Sequence, residues 1–115
     1  MILRDGISTV VESATRELTN VGNAAVRHPR SLIGFDADTS HLYLVAVDGR
    51  STASVGMTLV EVADFLRTLG VAHALNLDGG GSTTLVIDGK IVNVPSDPTG
   101  ERVVGNALLV ERRRR

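Results

Sequence analysis

The stretch Asn76-Leu77-Asp78-Gly79-Gly80-Gly81-Ser82-Thr83-Thr84 puts an acid, three consecutive glycines and three hydroxyls in one place. Asp78 gives the stretch an acid within the loop. Glycine lacks Cβ, so it takes positive φ and lets a ligand come close to the main chain. Successive backbone N–H groups in such a turn can form a concave anion site. The plainer reading of the same residues is a tight turn between strands. A dinucleotide fingerprint is excluded, because Thr84 stands where a third glycine belongs and Leu85-Val86-Ile87 then reads as strand rather than helix. Gly89-Lys90-Ile91 lacks the hydroxyl of a phosphate-binding P-loop, and no Gly-x-Ser-x-Gly elbow occurs.

Two further carboxylates sit where strands end or loops turn, Asp48 in Val47-Asp48-Gly49-Arg50 and Asp97 in Pro95-Ser96-Asp97-Pro98. Arg27-His28-Pro29-Arg30 groups three side chains able to carry positive charge. They could bind a phosphate, with arginine making bidentate contacts, or form a solvated basic loop. Asn106 interrupts the apolar run 103–110, and a buried amide there must be a hydrogen-bond hub or a site residue. His28, His41 and His73 lack metal-ligand spacing, and the chain has no cysteine, so no metal, cofactor or disulfide is expected. Three carboxylates, a glycine loop and a basic cluster suit a substrate carrying both a phosphate and a sugar-like leaving bond.

The elements that must position these groups are legible in outline. The 115 residues suit one small domain, and with only 3% aromatics its core must be aliphatic. That scarcity also disfavours single-strand nucleic-acid binding, which uses aromatic stacking. The net charge of −1 gives no polybasic footprint, so no nucleic-acid partner is expected. Arg112 to Arg115 read as a solvated tail beyond a domain spanning 1–111. No segment is long enough to span a membrane, and Met1 to Gly6 lacks the apolar stretch of a signal peptide.

The pattern predicts an α+β fold, a mixed β-sheet packed by one main helix. Strands are expected near 31–36, 41–48, 72–77, 83–87, 90–94 and 103–110. The run 41–48 is apolar on both alternations, which predicts a central strand covered on both faces. Asp88-Gly89 marks a hairpin. The helix near 58–69 has Thr58 as N-cap, Glu61 completing a capping box, and Gly70 as stop. Ser8 to Thr19 also reads as helix, opened by a Thr9-x-x-Glu12 box, and Asn20 to Ala25 as loop.

The ordered set Arg27-His28-Pro29-Arg30, Ile33-Gly34, Val47-Asp48-Gly49-Arg50, Gly56-Met57-Thr58-Leu59, Asn76 to Thr83 and Pro95-Ser96-Asp97 resembles the phosphodiester glycosidase domain family. The match runs from about residue 27 to 110. The resemblance implies hydrolysis of the glycosidic bond in sugar-1-phosphate diesters of the N-acetylglucosamine-1-phosphodiester type, leaving a phosphomonoester. It implies Asp78 as first choice for nucleophile or base and Asp48 as second. It places His28, Arg30, Asn76, Gly79, Gly80, Gly81, Ser82, Thr83, Asp97 and Asn106 around the sugar phosphate, and implies an extracytoplasmic setting. The chain departs from the pattern in two ways. Ser31-Leu32 replaces a Thr-Ala pair, and Met1 to Gly6 already looks like a late strand, so the front half of the domain is expected to be absent and turnover by the chain alone weak. Two other readings follow from that gap: a non-catalytic sugar- or phosphate-binding remnant, and an α/β module whose open sheet edges pair in a homo-oligomer.

Overall fold

The computed structural model describes residues 1–16 and 21–114. The first elements are a short hairpin, β1 (Leu3–Arg4) and β2 (Ile7–Ser8), turned by Asp5-Gly6, both at positive φ. Two short helices follow, α1 (Val10–Arg16) and α2 (Val21–Ala25), then strands β3 (Arg30–Asp36) and β4 (Leu42–Val47). Helix α3 (Leu59–Thr68) leads into β5 (Val71–Asn76), and a small hairpin, β6 (Val86–Ile87) and β7 (Lys90–Ile91), comes last.

The α+β class is as the pattern predicts. The main sheet runs in the order β2-β1-β5-β3-β4, and its pairings are antiparallel throughout, where a mixed sheet was expected. β4 and β5 point the same way because both pair with β3, so α3 crosses the sheet to connect them. Its start is set locally. Thr58 Oγ1 accepts from Glu61 N at 3.1 Å, and Glu61 Oε2 accepts from Thr58 N at 2.9 Å. Gly70 takes the positive φ that ends it. The inner face of α3, Val62, Ala63 and Leu66, closes on Leu3, Leu32, Val71 and Ala74 to make the aliphatic core. Burying each such Leu or Val contributes roughly 1.5–3 kcal/mol.

Several expectations are corrected. β4 is the edge strand and not a central one. Its Tyr43, Val45 and Val47 pack against the core, while Leu42 and Leu44 stay exposed. Residues 103–110 form no strand; they are irregular and exposed, with Asn106 exposed rather than buried. The last hairpin keeps only two residues per strand. Val21–Ala25 is helical, where loop was expected. The helix expected from Ser8 starts at Val10, and Thr9 Oγ1 donates to Met1 O instead of capping it. Positions 17–20, at the end of that expected helix and the start of the expected loop, lie outside the described residues, as does Arg115 of the tail.

Candidate functional site

The antiparallel order brings three chain segments to one end of the sheet. They are His28-Pro29 entering β3, Asp48 to Arg50 leaving β4, and Leu77 to Gly81 leaving β5. Glycine permits their approach. A Cβ on Gly49 would lie 2.8 Å from Pro29 N, one on Gly56 2.5 Å from His28 O, and one on Gly79 2.8 Å from Pro29 O. His28-Pro29 is thus clamped by three glycines from two loops, and Pro29 is fully buried. Backbone bonds complete the clamp: Met57 N donates to His28 O at 3.1 Å, and Gly80 N to Pro29 O at 3.0 Å.

This junction opens into a cavity of about 750 Å³ whose wall includes His28, Arg50, Asn76, Asp78, Gly79 to Gly81 and Arg102. Asp78 lies exposed at its mouth, with Oδ1 accepting from Gly79 N at 3.0 Å. Asn76 lines the cavity, and its Oδ1 is buried behind that wall with no hydrogen-bond partner. The glycine loop spends most of its own donors internally. Gly79 N and Gly80 N are bonded as above, and Ser82 N and Thr83 N donate to Gly79 O and Gly80 O at 3.1 Å each.

Positive charge comes instead from side chains. Arg50 holds φ +57, a conformation few residues other than glycine adopt, and its Nη2 lies 3.0 Å from where a Gly80 Cβ would be. It also lies 3.4 Å from His28 Nδ1. Among the described residues no carboxylate forms an ion pair with Arg50. Arg102 lies over Gly81, gripping Asp97 through Nε–Oδ2 at 2.7 Å and Nη2–Oδ1 at 2.8 Å. That bidentate bond holds the Asp97 carboxyl below its usual range, and raises the already high pKa of Arg102. His28 is pushed down from 6.5, first by partial burial and then by the charges of Arg30 and Arg50. At neutral pH its imidazole is therefore uncharged.

The remaining candidates separate by location. Arg30 also lines the cavity, but it is buried and its guanidinium is committed. Nε donates to Met57 O at 3.0 Å, and Nη2 to Asn23 O and Val26 O at 2.9 and 2.7 Å. Arg27 turns away to pair with Glu61. Asp48 lines neither this cavity nor the groove beside it; its Oδ1 accepts from Asn93 Nδ2 at 3.1 Å and Val94 N at 3.0 Å. Thr83 is buried, with its carbonyl accepting from Asn93 Nδ2 at 3.0 Å. Ser82 and Asn106 line a neighbouring groove of about 630 Å³ that meets the cavity at Asp78.

Three contributors were missed in the sequence: Arg50, Arg102 and Asn93. Arg50 stood inside a motif already noted. Asn93 lies in the apolar run Ile91-Val92-Asn93-Val94, the same signal that drew attention to Asn106. Its amide ties together β4, the glycine loop and the last hairpin, with Oδ1 accepting from Leu85 N at 2.8 Å. Arg102 carries no signal beyond its charge.

The chain belongs to the phosphodiester glycosidase family, whose profile matches residues 1–111. It is similar to N-acetylglucosamine-1-phosphodiester alpha-N-acetylglucosaminidase of Mus musculus, 43% identical over 72 residues, covering 63% of this chain and 14% of the mouse protein. A prophage-derived protein of Bacillus subtilis, YomE, is 36% identical over 107 residues, covering 91% of this chain and 16% of its own length. Among solved structures, the catalytic domain of the zebrafish N-acetylglucosamine-1-phosphodiester alpha-N-acetylglucosaminidase, auto-inhibited by its pro-peptide, superposes with a TM-score of 0.72 at 38% identity. That superposition covers 84% of this chain and 33% of the zebrafish one. The chain thus spans a small part of the relatives it matches. Among the described residues no helix is long and apolar enough to cross a membrane.

Proposed function

We propose that this cavity binds a sugar-1-phosphate diester of the N-acetylglucosamine-1-phosphodiester type and cleaves its anomeric C–O bond. The observation that carries the reading is Arg50, whose guanidinium forms no carboxylate ion pair among the described residues and lies against Gly80 in the cavity that Asp78 also lines. The leaving group, a phosphomonoester, is a stable anion with a second pKa of about 6. A strong general acid is therefore less necessary than in an ordinary glycosidase, which must protonate an alkoxide. Charge stabilisation takes its place, and Arg50 supplies it, with His28 beside it. Asp78 faces the anomeric carbon as nucleophile, or as the base that takes a proton from the attacking water. Water's oxygen ends on the sugar, and the bond electrons leave with the phosphate. Asn76 forms part of the wall beside the sugar, while Gly79 to Gly81 give it a flat, close floor. Asp97 reaches the rim through Arg102, and Asp48 acts as a positioning residue through Asn93.

Binding of a phosphodiester, which keeps one negative charge across the neutral range, tests this assignment. Arg50→Ala weakens affinity about 100-fold, the loss of one charge-assisted bidentate contact at roughly 1.5–3 kcal/mol. A bound anion raises the pKa of His28, so binding takes up a proton. Affinity therefore rises as pH falls from 7 through the depressed pKa of His28. His28→Gln flattens that rise. In the free protein the sign is opposite: the unfolded chain protonates His28 first, so this contribution to stability is present above 6.5 and is lost as pH falls toward the folded pKa. Calorimetry showing unchanged affinity in Arg50→Ala means that the anion binds elsewhere.

A further inference from the structure

Two guanidinium groups rest on consecutive glycines of the loop. Arg50 Nη2 lies 3.0 Å from the Cβ position of Gly80, and Arg102 Nη2 lies 2.2 Å from that of Gly81. Both arginines line the same cavity. Their surroundings differ. Among the described residues Arg50 forms no ion pair with a carboxylate, whereas the Nε–Nη2 edge of Arg102 is filled by both oxygens of Asp97. A phosphate takes a guanidinium in the same bidentate manner, so Asp97 occupies the grip that an incoming phosphate would use. Asp97 Oδ1 itself lies 2.3 Å from the Gly81 Cβ position, so the missing side chain of Gly81 is what admits the pair. Asp97 is not in the cavity wall; it bears on the cavity through Arg102.

The charge of the wall follows from its residues. Arg30, Arg50 and Arg102 are positive, Asp78 is negative and His28 is uncharged at neutral pH, a balance of +2. Arg102 holds the Asp97 carboxyl below its usual range, so Asp97 is ionised and brings the balance to +1. A phosphodiester carries one negative charge. A phosphomonoester, with a second pKa of about 6, carries two at pH 8. We propose that Asp97, acting through Arg102, determines which of the two the cavity keeps: the single charge of a diester is matched, and the double charge of a monoester is not. The inference rests on the proposed reading of the cavity, in which the diester is substrate and the monoester a product. Asp97 is then a positioning residue that favours release of the product, because it withholds the second guanidinium that would otherwise retain it.

Titration of the chain with dimethyl phosphate and with methyl phosphate at pH 8, followed by NMR amide shifts, reads the preference. Neither probe carries an anomeric bond, so neither is consumed. The ratio of the two affinities in the wild type is the reference. Asp97→Asn frees Arg102 and tightens methyl phosphate about tenfold but dimethyl phosphate only about threefold, since the effect scales with the charge of the probe. Arg102→Gln leaves Asp97 uncompensated and shifts the ratio the other way, by a similar factor. The double variant Asp97→Asn with Arg102→Gln restores the net charge and returns the ratio to the wild-type value. A pair that merely staples the loop weakens both probes alike in both single variants. That result, with dimethyl phosphate still needing Arg50, overturns this inference alone. Dimethyl phosphate binding that is indifferent to Arg50→Ala overturns the reading of the cavity, and the inference with it.

Discussion

Asp78→Asn removes hydrolysis of an N-acetylglucosamine phosphodiester, with kcat falling roughly 10³-fold or more, while the melting temperature stays unchanged. The two halves of that result have separate causes. The amide keeps an oxygen at Oδ1, so it still accepts from Gly79 N, the bond that fixes the loop at 3.0 Å. What the amide lacks is the negative charge needed to attack the anomeric carbon or to take a proton from water. Asp78 is exposed at the cavity mouth, so the exchange buries no new polar group. Asp48→Asn contrasts with it, because Asp48 already spends Oδ1 on Asn93 and Val94. Stability and rate both fall there, since the tie between β4 and the last hairpin behind the site loosens. A rate in Asp78→Asn within tenfold of the wild type makes Asp78 a turn residue.

Gly56→Val unfolds the site from behind. Gly56 holds φ +86, and a Cβ there would lie 2.5 Å from the carbonyl oxygen of His28, 2.6 Å from its carbon and 2.9 Å from its nitrogen. Those atoms are backbone and cannot swing aside as a flexible side chain would. The bridge between His28 and Met57 must open, taking the clamp on Pro29 with it. The expected loss is about 3–4 kcal/mol, against a total of about 5–15 kcal/mol for a domain of this kind. The corresponding fall in Tm is roughly 15 °C. Gly100→Val separates the two causes of that loss: Gly100 has φ +87 and nothing within 4 Å of its Cβ position. It reports backbone strain alone and costs less. Equal shifts at positions 56 and 100 mean that crowding against His28 contributes nothing.

What could be read from sequence was what neighbours in the chain decide. The capping box of Thr58 and Glu61 lies within four residues, and it formed as read. The two-residue turns Asp5-Gly6 and Asp88-Gly89 also stand where their types place them. β4 misled because an apolar run states only that both faces want cover, not which neighbours exist to provide it. Among the described residues β3 pairs with β4 on one side and no strand pairs with it on the other. The run 103–110 has the composition of a strand and finds no ladder to join. The glycine loop was found in the sequence, but much of its physical role was not. Gly79 yields room to Pro29, and Gly81 lies beneath the Asp97–Arg102 pair, contacts between residues far apart in the chain. The arginine that lies against Gly80 comes from the turn after β4, a closeness that the antiparallel order of β5, β3 and β4 creates.

The most direct test of the proposed reaction follows the oxygen atom. The chain, in molar excess over an N-acetylglucosamine phosphodiester, is incubated in ¹⁸O-labelled water, and both products are weighed by mass spectrometry. Cleavage of the anomeric C–O bond places the label in the sugar hydroxyl and leaves the phosphomonoester unlabelled, and this product is absent in Asp78→Asn. Label in the phosphate, or sugar released equally by Asp78→Asn, contradicts the account.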